Sequence, residues 1–279
     1  ELGPWAQQRL RAAYALAERP LDTGAVLFQS YAGTGVTDSP RAIFDELRIR
    51  RPDLRTAWVV ADHSVRAPDG ADAVLLRSRA WYAALETAGT VVTNVEMDRF
   101  FRTRPGQRLV QTFHGYPFKS MGRDFWRSKG FPPGQVRHFA SRAAGEWDLI
   151  LVPSAECEAY YREQYGYTGA VLAAGYPRTD PLVNSDAAQV RRDVLARIGV
   201  PEDRTVVLYA PTFRDTLTTR VYAARRFDDL DLDELTRRLG PEYVVLVRGH
   251  NNNQREADRV GRAATVVDVT DYPDINDLT

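Results

Sequence analysis

A single cysteine, Cys157, stands among 279 residues. That excludes a disulfide framework and a cysteine-built zinc cluster, and it suits a reducing, cytoplasmic setting. The four histidines, His63, His114, His138 and His250, fall at no metal-ligand spacing. Charge of one sign is missing too, since 37 Lys and Arg are balanced by 37 Asp and Glu. General nucleic-acid binders carry a basic excess, so no nucleic-acid partner is expected. No apolar run reaches the ~18 residues that span a bilayer. The opening stretch ELGPWAQQRLRAAYALAERP lacks the basic start, apolar stretch and cleavage site of a signal peptide. The expectation is a soluble or peripheral protein. No Gly-Lys-Ser/Thr follows the first glycine-rich loop, no Gly-x-Ser-x-Gly elbow occurs, and there are no internal repeats or low-complexity tracts.

What is present is a repeating alternation. Short apolar runs, AVLFQS (25–30), TAWVVA (56–61), AVLLR (73–77), TVVTN (90–94), RLVQTF (108–113), DLILVP (148–153) and AVLAAG (170–175), suit buried strands. Between them lie amphipathic stretches, among them residues 5–19, a helix opening at Asp38 or Ser39 with Pro40 in its first turn, Arg79–Glu86, and 154–166 closing near Gly166. Strands alternating with helices predict a parallel sheet covered on both faces. Near Pro181 the texture changes. A polar helix in 186–204 ends at Gly199 and leads to further strands at 205–211, 242–249 and 265–269, with a helix over Leu230–Leu239. A second parallel α/β unit therefore begins near residue 200.

Chemistry-bearing residues gather at strand exits, where α/β sheets place ligands. Gly33-Thr-Gly35 lacks the third glycine of a dinucleotide motif, and a tight turn outweighs a phosphate loop. His114 opens HGYPFKSMGRD directly after a strand. A neutral imidazole there can take a proton from a hydroxyl, and Lys119 and Arg123 can hold a phosphate. The other reading is a structural loop histidine among solvated cations. In APTFRD, Arg214 can reach an anion, and Asp215 can orient it or a hydroxyl; VRGHNNN repeats the pattern with Arg248 and His250. These two exits form either an anion-binding face or two ordinary polar loops. The carboxylates of DYPDIND (271–277) either bind Mg²⁺ or cap a helix starting near Asp274, and no metal site is assigned. Cys157 falls inside a helix as a small apolar residue.

Several segments together resemble the CDP-glycerol:polyglycerol-phosphate glycerophosphotransferase family: SYAGTGVTDSPRAIFDEL, TFHGYPFKSMGRD, LVPSAECEAYYREQYGY, GYPRTDPLV, LYAPTFRD, VLVRGH and VVDVTDYPDINDL. They occur in the family's order from residue 25 onward. The resemblance implies an α/β, GT-B-like scaffold of two Rossmann-like parallel-sheet domains facing across a cleft. Residues 1–184 would form the acceptor-side domain, and 185–279 a partial nucleotide-donor domain. The family continues past Asn-Asp-Leu with a helix, a strand and an Asp-Tyr-Ser-Ser turn, so the second domain is expected to be incomplete.

The implied reaction moves a polyol-phosphate unit, glycerol-phosphate first among them, from a CDP-polyol to the terminal hydroxyl of a teichoic-acid or capsule-like, lipid-linked acceptor, and CMP leaves. The candidate catalytic residues are His114, as general base, and Asp215. Arg214, Arg248 and His250 would hold the donor phosphates, and Lys119 and Arg123 the acceptor. The family works at the inner membrane face, and RFFRTRPGQR (99–108) and GRDFWRSKGF (122–131) mix aromatic and basic residues as either an interfacial contact or ordinary surface. Two other readings stand beside this one: a sugar transferase of the same scaffold using a UDP- or GDP-sugar, and a catalytically silent acceptor-binding module.

Overall fold

The computed structural model describes residues 2–16, 18–211, 218–220, 223–224, 230–249 and 265–279. The chain divides into two compact units, Glu1–Asp180 and Pro181–Thr279. In the first unit, helix α1 (Pro4–Ala15) precedes β1 (Asp22–Gln29), α2 (Asp38–Arg50), β2 (Arg55–Val60), β3 (Asp72–Leu75), α3 (Arg79–Thr87) and β4 (Ala88–Thr93). Then follow β5 (Arg108–Gln111), α4 (Gly122–Ser128), α5 (Pro133–Glu146), β6 (Leu149–Val152), α6 (Ala155–Tyr165) and β7 (Ala170–Ala173). The short α7 (Asp180–Asn184) sits at the boundary.

The seven strands pair in parallel in the order β3-β2-β1-β4-β5-β6-β7. The chain thus winds outward from β1 through β2 and β3, then returns to the other side of β1 with β4. That reversal makes a crevice at the carboxyl ends of β1 and β4. Side chains alternate between two cores. Leu27, Val59, Val91 and Leu109 face one side, packed with Trp81 and Leu85 of α3 and Tyr161 of α6. Val26, Phe28, Trp58 and Val92 face the other, with Phe44 of α2. Phe28 is in register with Trp58, and the two rings stack at 5.5 Å and 7° while Phe44 meets both edge-on. Such pairs add roughly 0.5–1.5 kcal/mol beyond the area they bury.

In the second unit, α8 (Ala187–Ile198) is capped by the Asp186 carboxylate and closed by Gly199 in the left-handed region. It leads to β8 (Thr205–Tyr209), the short antiparallel pair β9 (Thr218–Arg220) and β10 (Ala223–Ala224), α9 (Leu232–Leu239), β11 (Tyr243–Val247) and β12 (Val266–Asp268). The order β12-β11-β8 is parallel. Val244 and Leu246 pack toward Leu195 of α8, while Val245 and Val247 pack toward Leu232, Leu235 and Leu239 of α9.

Two local expectations change. The first helix closes at Ala15 rather than near residue 19. The strand expected to reach Arg77 stops at Leu75, and Arg77 turns with φ +61°. Helix α5 was not foreseen from the sequence, because its buried positions, Val136, Ala140 and Ala143, are small and spread among polar residues. In the stretch 99–108 the two aromatics turn inward, while Arg99, Arg102 and Arg108 stay exposed. Phe101 is fully buried, Phe100 packs edge-on against Trp81, and Arg102 reaches the buried Glu146.

Glu146 ends α5 with its side chain enclosed and its carboxylate on both Arg142 (2.9 Å) and Arg102 (3.1 Å). Burial outweighs those two cations and pushes the carboxyl up to about 7. A folded-state value above the unfolded one means that folding takes up a proton between them. The stabilisation is complete below the ordinary carboxyl range of about 4.3 and is lost as pH rises through the folded value. Denaturant titrations at about pH 5 and about pH 8 should show the wild-type midpoint falling, with a flatter response in Glu146→Gln.

Gly33 resolves the glycine-loop question in favour of a turn. Its φ is +84°, its carbonyl accepts from Ala61 N at 2.8 Å, and a Cβ would lie 2.9 Å from that same nitrogen. Gly33→Ala should cost at least about 1–3 kcal/mol, read by urea unfolding, because strain and backbone clash act together.

Candidate functional site

Three strand ends converge at the crevice. Strand β1 exits into Ser30, β4 into Asn94, and β5 into Thr112, Phe113 and His114. The exits are polar and buried: Ser30, Thr93, Asn94, Gln111 and Thr112 are all enclosed. Their hydrogen bonds stay within the cluster. Thr112 N donates to Thr93 O, Phe113 N to Gln111 Oε1, and Tyr31 N to Asn94 Oδ1. Buried polar groups satisfied in this way hold one geometry.

His114 is exposed at the edge of this cluster. Its Nδ1 lies 3.0 Å from the Asn94 carbonyl oxygen. A carbonyl only accepts, so Nδ1 carries the proton and Nε2 presents its lone pair. That is the tautomer of a general base. The preceding residue, Phe113, holds φ +51° and is locked by stacking on Tyr161 at 4.3 Å and by Trp147 edge-on. Strain at a chemistry-bearing residue persists only where packing over-determines it.

The segment around Asp38 adds a charged cluster. The Asp38 side chain is 3% exposed, and its Oδ2 accepts from Tyr31 Oη at 2.5 Å and from Arg178 Nη1 at 3.1 Å. Its Oδ1 accepts from Ser39 N at 2.6 Å. Asp38 itself sits at φ +67° as the first residue of α2. Arg178 Nη1 also donates to His114 O at 2.6 Å, and Tyr176 Oη donates to Gly115 O at 2.8 Å.

The remaining expected residues divide. Lys119 is exposed beside the aromatic pair Tyr116 and Phe118. Arg123 Nη1 donates to Glu163 O at 2.6 Å, closing the carboxyl end of α6. In the second unit, Arg248 Nη1 donates to the carbonyls of Val269 (3.1 Å) and Tyr272 (2.8 Å), and burial lowers its pKa. The guanidinium thereby ties the β11 exit to the loop after β12. Asp274 Oδ1 accepts from Asn276 N at 3.0 Å, just before the short 3-10 turn Asn276–Leu278. Arg214, Asp215 and His250 lie outside the described residues. Among the described residues, no group of three or more His, Cys, Asp or Glu is arranged to hold a metal ion.

Asn94, Asp38, Tyr176 and Arg178 were not singled out from the sequence as site residues. Asn94 shares the strand-exit position that drew attention to His114, and that signal could have found it. The burial of Asp38 beside a cation from 140 positions away in the chain has no local signature.

The profile described as CDP-Glycerol:Poly(glycerophosphate) glycerophosphotransferase matches residues 12–279. A teichoic acid poly(glycerol phosphate) polymerase of Staphylococcus epidermidis is 27% identical over 275 residues, covering 96% of this chain and 38% of the relative. A teichoic acid glycerol-phosphate transferase of Staphylococcus aureus is 24% identical over 278 residues, covering 98% of this chain and 71% of the relative. The solved structure of the wall teichoic acid polymerase TagF superposes with a TM-score of 0.86 at 26% identity, covering 98% of this chain and 68% of that one. The chain thus spans under two-fifths of the length of the first of these relatives.

Replacing Asn94 by Ala strips the acceptor from Tyr31 N in a buried setting. Asn94→Ala should lose about 1–3 kcal/mol of stability in denaturant unfolding, while leaving the Asn94 carbonyl contact to His114 in place.

Proposed function

Because the chain belongs to the CDP-glycerol:poly(glycerophosphate) glycerophosphotransferase family, we propose that it forms the transferase region of a teichoic-acid-type enzyme. The donor is a CDP-polyol, CDP-glycerol first among them, and the acceptor is a polyol-phosphate polymer ending in a hydroxyl. The observation that carries this reading is the 3.0 Å contact of His114 Nδ1 with the Asn94 carbonyl oxygen at the sheet's switch point, which assigns the proton to Nδ1 and leaves Nε2 as acceptor.

The chemistry follows from that nitrogen. His114 Nε2 takes the proton of the acceptor hydroxyl as its oxygen attacks the β-phosphorus of the donor. A new phosphoester bond forms, the pyrophosphate bond breaks, and CMP leaves with the bridging oxygen. Phosphoryl transfer needs positioning and charge neutralisation more than covalent help. Arg214, Arg248 and His250 are assigned to the donor phosphates, Asp215 to the catalytic set, and Lys119 with Arg123 to the acceptor. For Arg248, Nη1 is taken up by the carbonyls of Val269 and Tyr272, and Asp271 and Asp274 lie within the field of the guanidinium. Within a GT-B-like scaffold, the first unit takes the acceptor and the second the donor. A TagF variant soaked with CDPG supports the donor class by analogy.

The same reading includes peripheral association with the inner face of the membrane. Tyr116, Phe118, Phe125 and Phe131 are exposed aromatics interspersed with Lys119, Arg123, Arg127 and Lys129. Aromatic and cationic side chains together suit an anionic interface. No helix among the described residues is long and apolar enough to cross a membrane.

The test is nucleotide release by the full-length protein from CDP-glycerol, CDP-ribitol and a UDP-sugar, with a glycerol-phosphate-capped acceptor. The expected result is CMP release from a CDP-polyol, reduced ~10²–10⁴-fold in His114→Ala. UDP release moves the assignment to a sugar transferase. Acceptor binding with no release from any donor leaves a silent module.

A further inference from the structure

Two stretches that stood out in the sequence, around Asp38 and around Arg178, have no part in the reaction as written above. They come from opposite ends of the first unit and meet at His114. Arg178 Nη1 bridges the Asp38 carboxylate (3.1 Å) and the His114 carbonyl (2.6 Å). Tyr31 donates to the same Asp38 oxygen, and its ring meets the His114 imidazole edge-on at 5.7 Å. Tyr176, two residues before Arg178, holds the next carbonyl, that of Gly115. Arg178 N reaches Ser39 Oγ at 3.4 Å, so the whole 176–178 turn is fastened to the start of α2.

We propose that Asp38 and Arg178 are a positioning pair for His114. The buried carboxylate orients the guanidinium, and the guanidinium holds the histidine's own carbonyl. The imidazole is thereby kept with Nδ1 on Asn94 O. The physical need is specific. His114 is exposed and follows a residue at φ +51°, so its backbone has no regular ladder to hold it. A loop in that state drifts unless an outside group fixes it. Free imidazole prefers the proton on Nε2, the wrong nitrogen for a base presented outward. Only a held ring, with Nδ1 facing a carbonyl, reverses that preference. A cation is suited to hold the loop because a charge-assisted bond to a carbonyl is short and strong. Asp38 is then required in turn, because a part-buried cation without a partner is costly.

The inference rests on His114 being the base proposed above, so its test has a readout independent of turnover. The full-length protein is labelled with ¹⁵N-histidine, and the His114 signals are assigned by their loss in His114→Gln. In the wild type above the titration range, Nδ1 should show the shift of a protonated ring nitrogen and Nε2 that of a bare one. In Arg178→Ala the two shifts should move toward an average, and Arg178→Lys should restore part of the difference. Kinetics run alongside with CDP-glycerol. Arg178→Ala should lower kcat by ~10²-fold, the cost of a misplaced group, with KM changed less than about threefold. Asp38→Asn should follow the same pattern if it folds; Arg178, at 32% side-chain exposure, is the safer site.

Four results overturn the pairing: a wild-type ring protonated on Nε2, an Arg178→Ala ring with wild-type shifts, unchanged kcat in that variant, or a raised KM at unchanged kcat. The last marks Arg178 as an acceptor-binding group. A wild-type enzyme that transfers nothing, yet shows the Nδ1–H ring and its loss in Arg178→Ala, sinks the proposed reaction and upholds the pairing.

Discussion

A parallel strand flanked on both sides and covered on both faces has only its carboxyl end left for chemistry, and β1 is in that position. Its neighbours are β2 and β4, its side chains alternate between two aromatic cores, and every residue from Val26 to Ser30 is buried. The reversal of strand order at β1 parts the loops on either side, so the crevice is a product of winding and not of any particular loop sequence. The features that set up His114 hang on that point: the Asn94 carbonyl at the end of β4, the turn through Gly33, and the start of α2.

The contents of the crevice differ from those of the cores below it. The cores are apolar, whereas the strand exits are a layer of enclosed amides and hydroxyls, Ser30, Thr93, Asn94, Gln111 and Thr112. Water is replaced there by fixed dipoles that need not reorganise when charge moves. The partner of His114 is a neutral carbonyl and not a carboxylate. It sets the tautomer without adding a negative charge where phosphates would have to approach. The Asp38 carboxylate, buried nearby, is covered by Tyr31 and Arg178.

The alternation of Leu27 with Val26 and Phe28, and the strand-exit placement of His114, were legible because they are local and periodic. So was the close of α8 at Gly199, a matter of one residue in the left-handed region. The helix over 133–146 was hidden, because its buried face is built from alanines and one valine whose contrast with their neighbours is weak. Arg123 stood out as a ligand-binding cation, and its Nη1 donates to the end of α6, a bond that depends on two helices meeting far apart in sequence. Asp38 looked like a helix cap. Its second oxygen serves a cation that arrives only after the sheet has closed, and no window of neighbouring residues encodes that.

Helix α3 ends at Thr87 and β4 begins at Ala88, with no connecting loop between them. That junction leaves no slack for evolution to use. Inserting a single residue there would turn β4 over, sending Val91 into the core that Val92 occupies and the reverse. It would also carry the Asn94 carbonyl along the strand by about 3.3 Å, the rise of one residue, and out of reach of His114. Related chains should therefore vary in length almost anywhere around this sheet before they vary at that join, and a gap placed there in an alignment marks a misalignment or a chain with different chemistry.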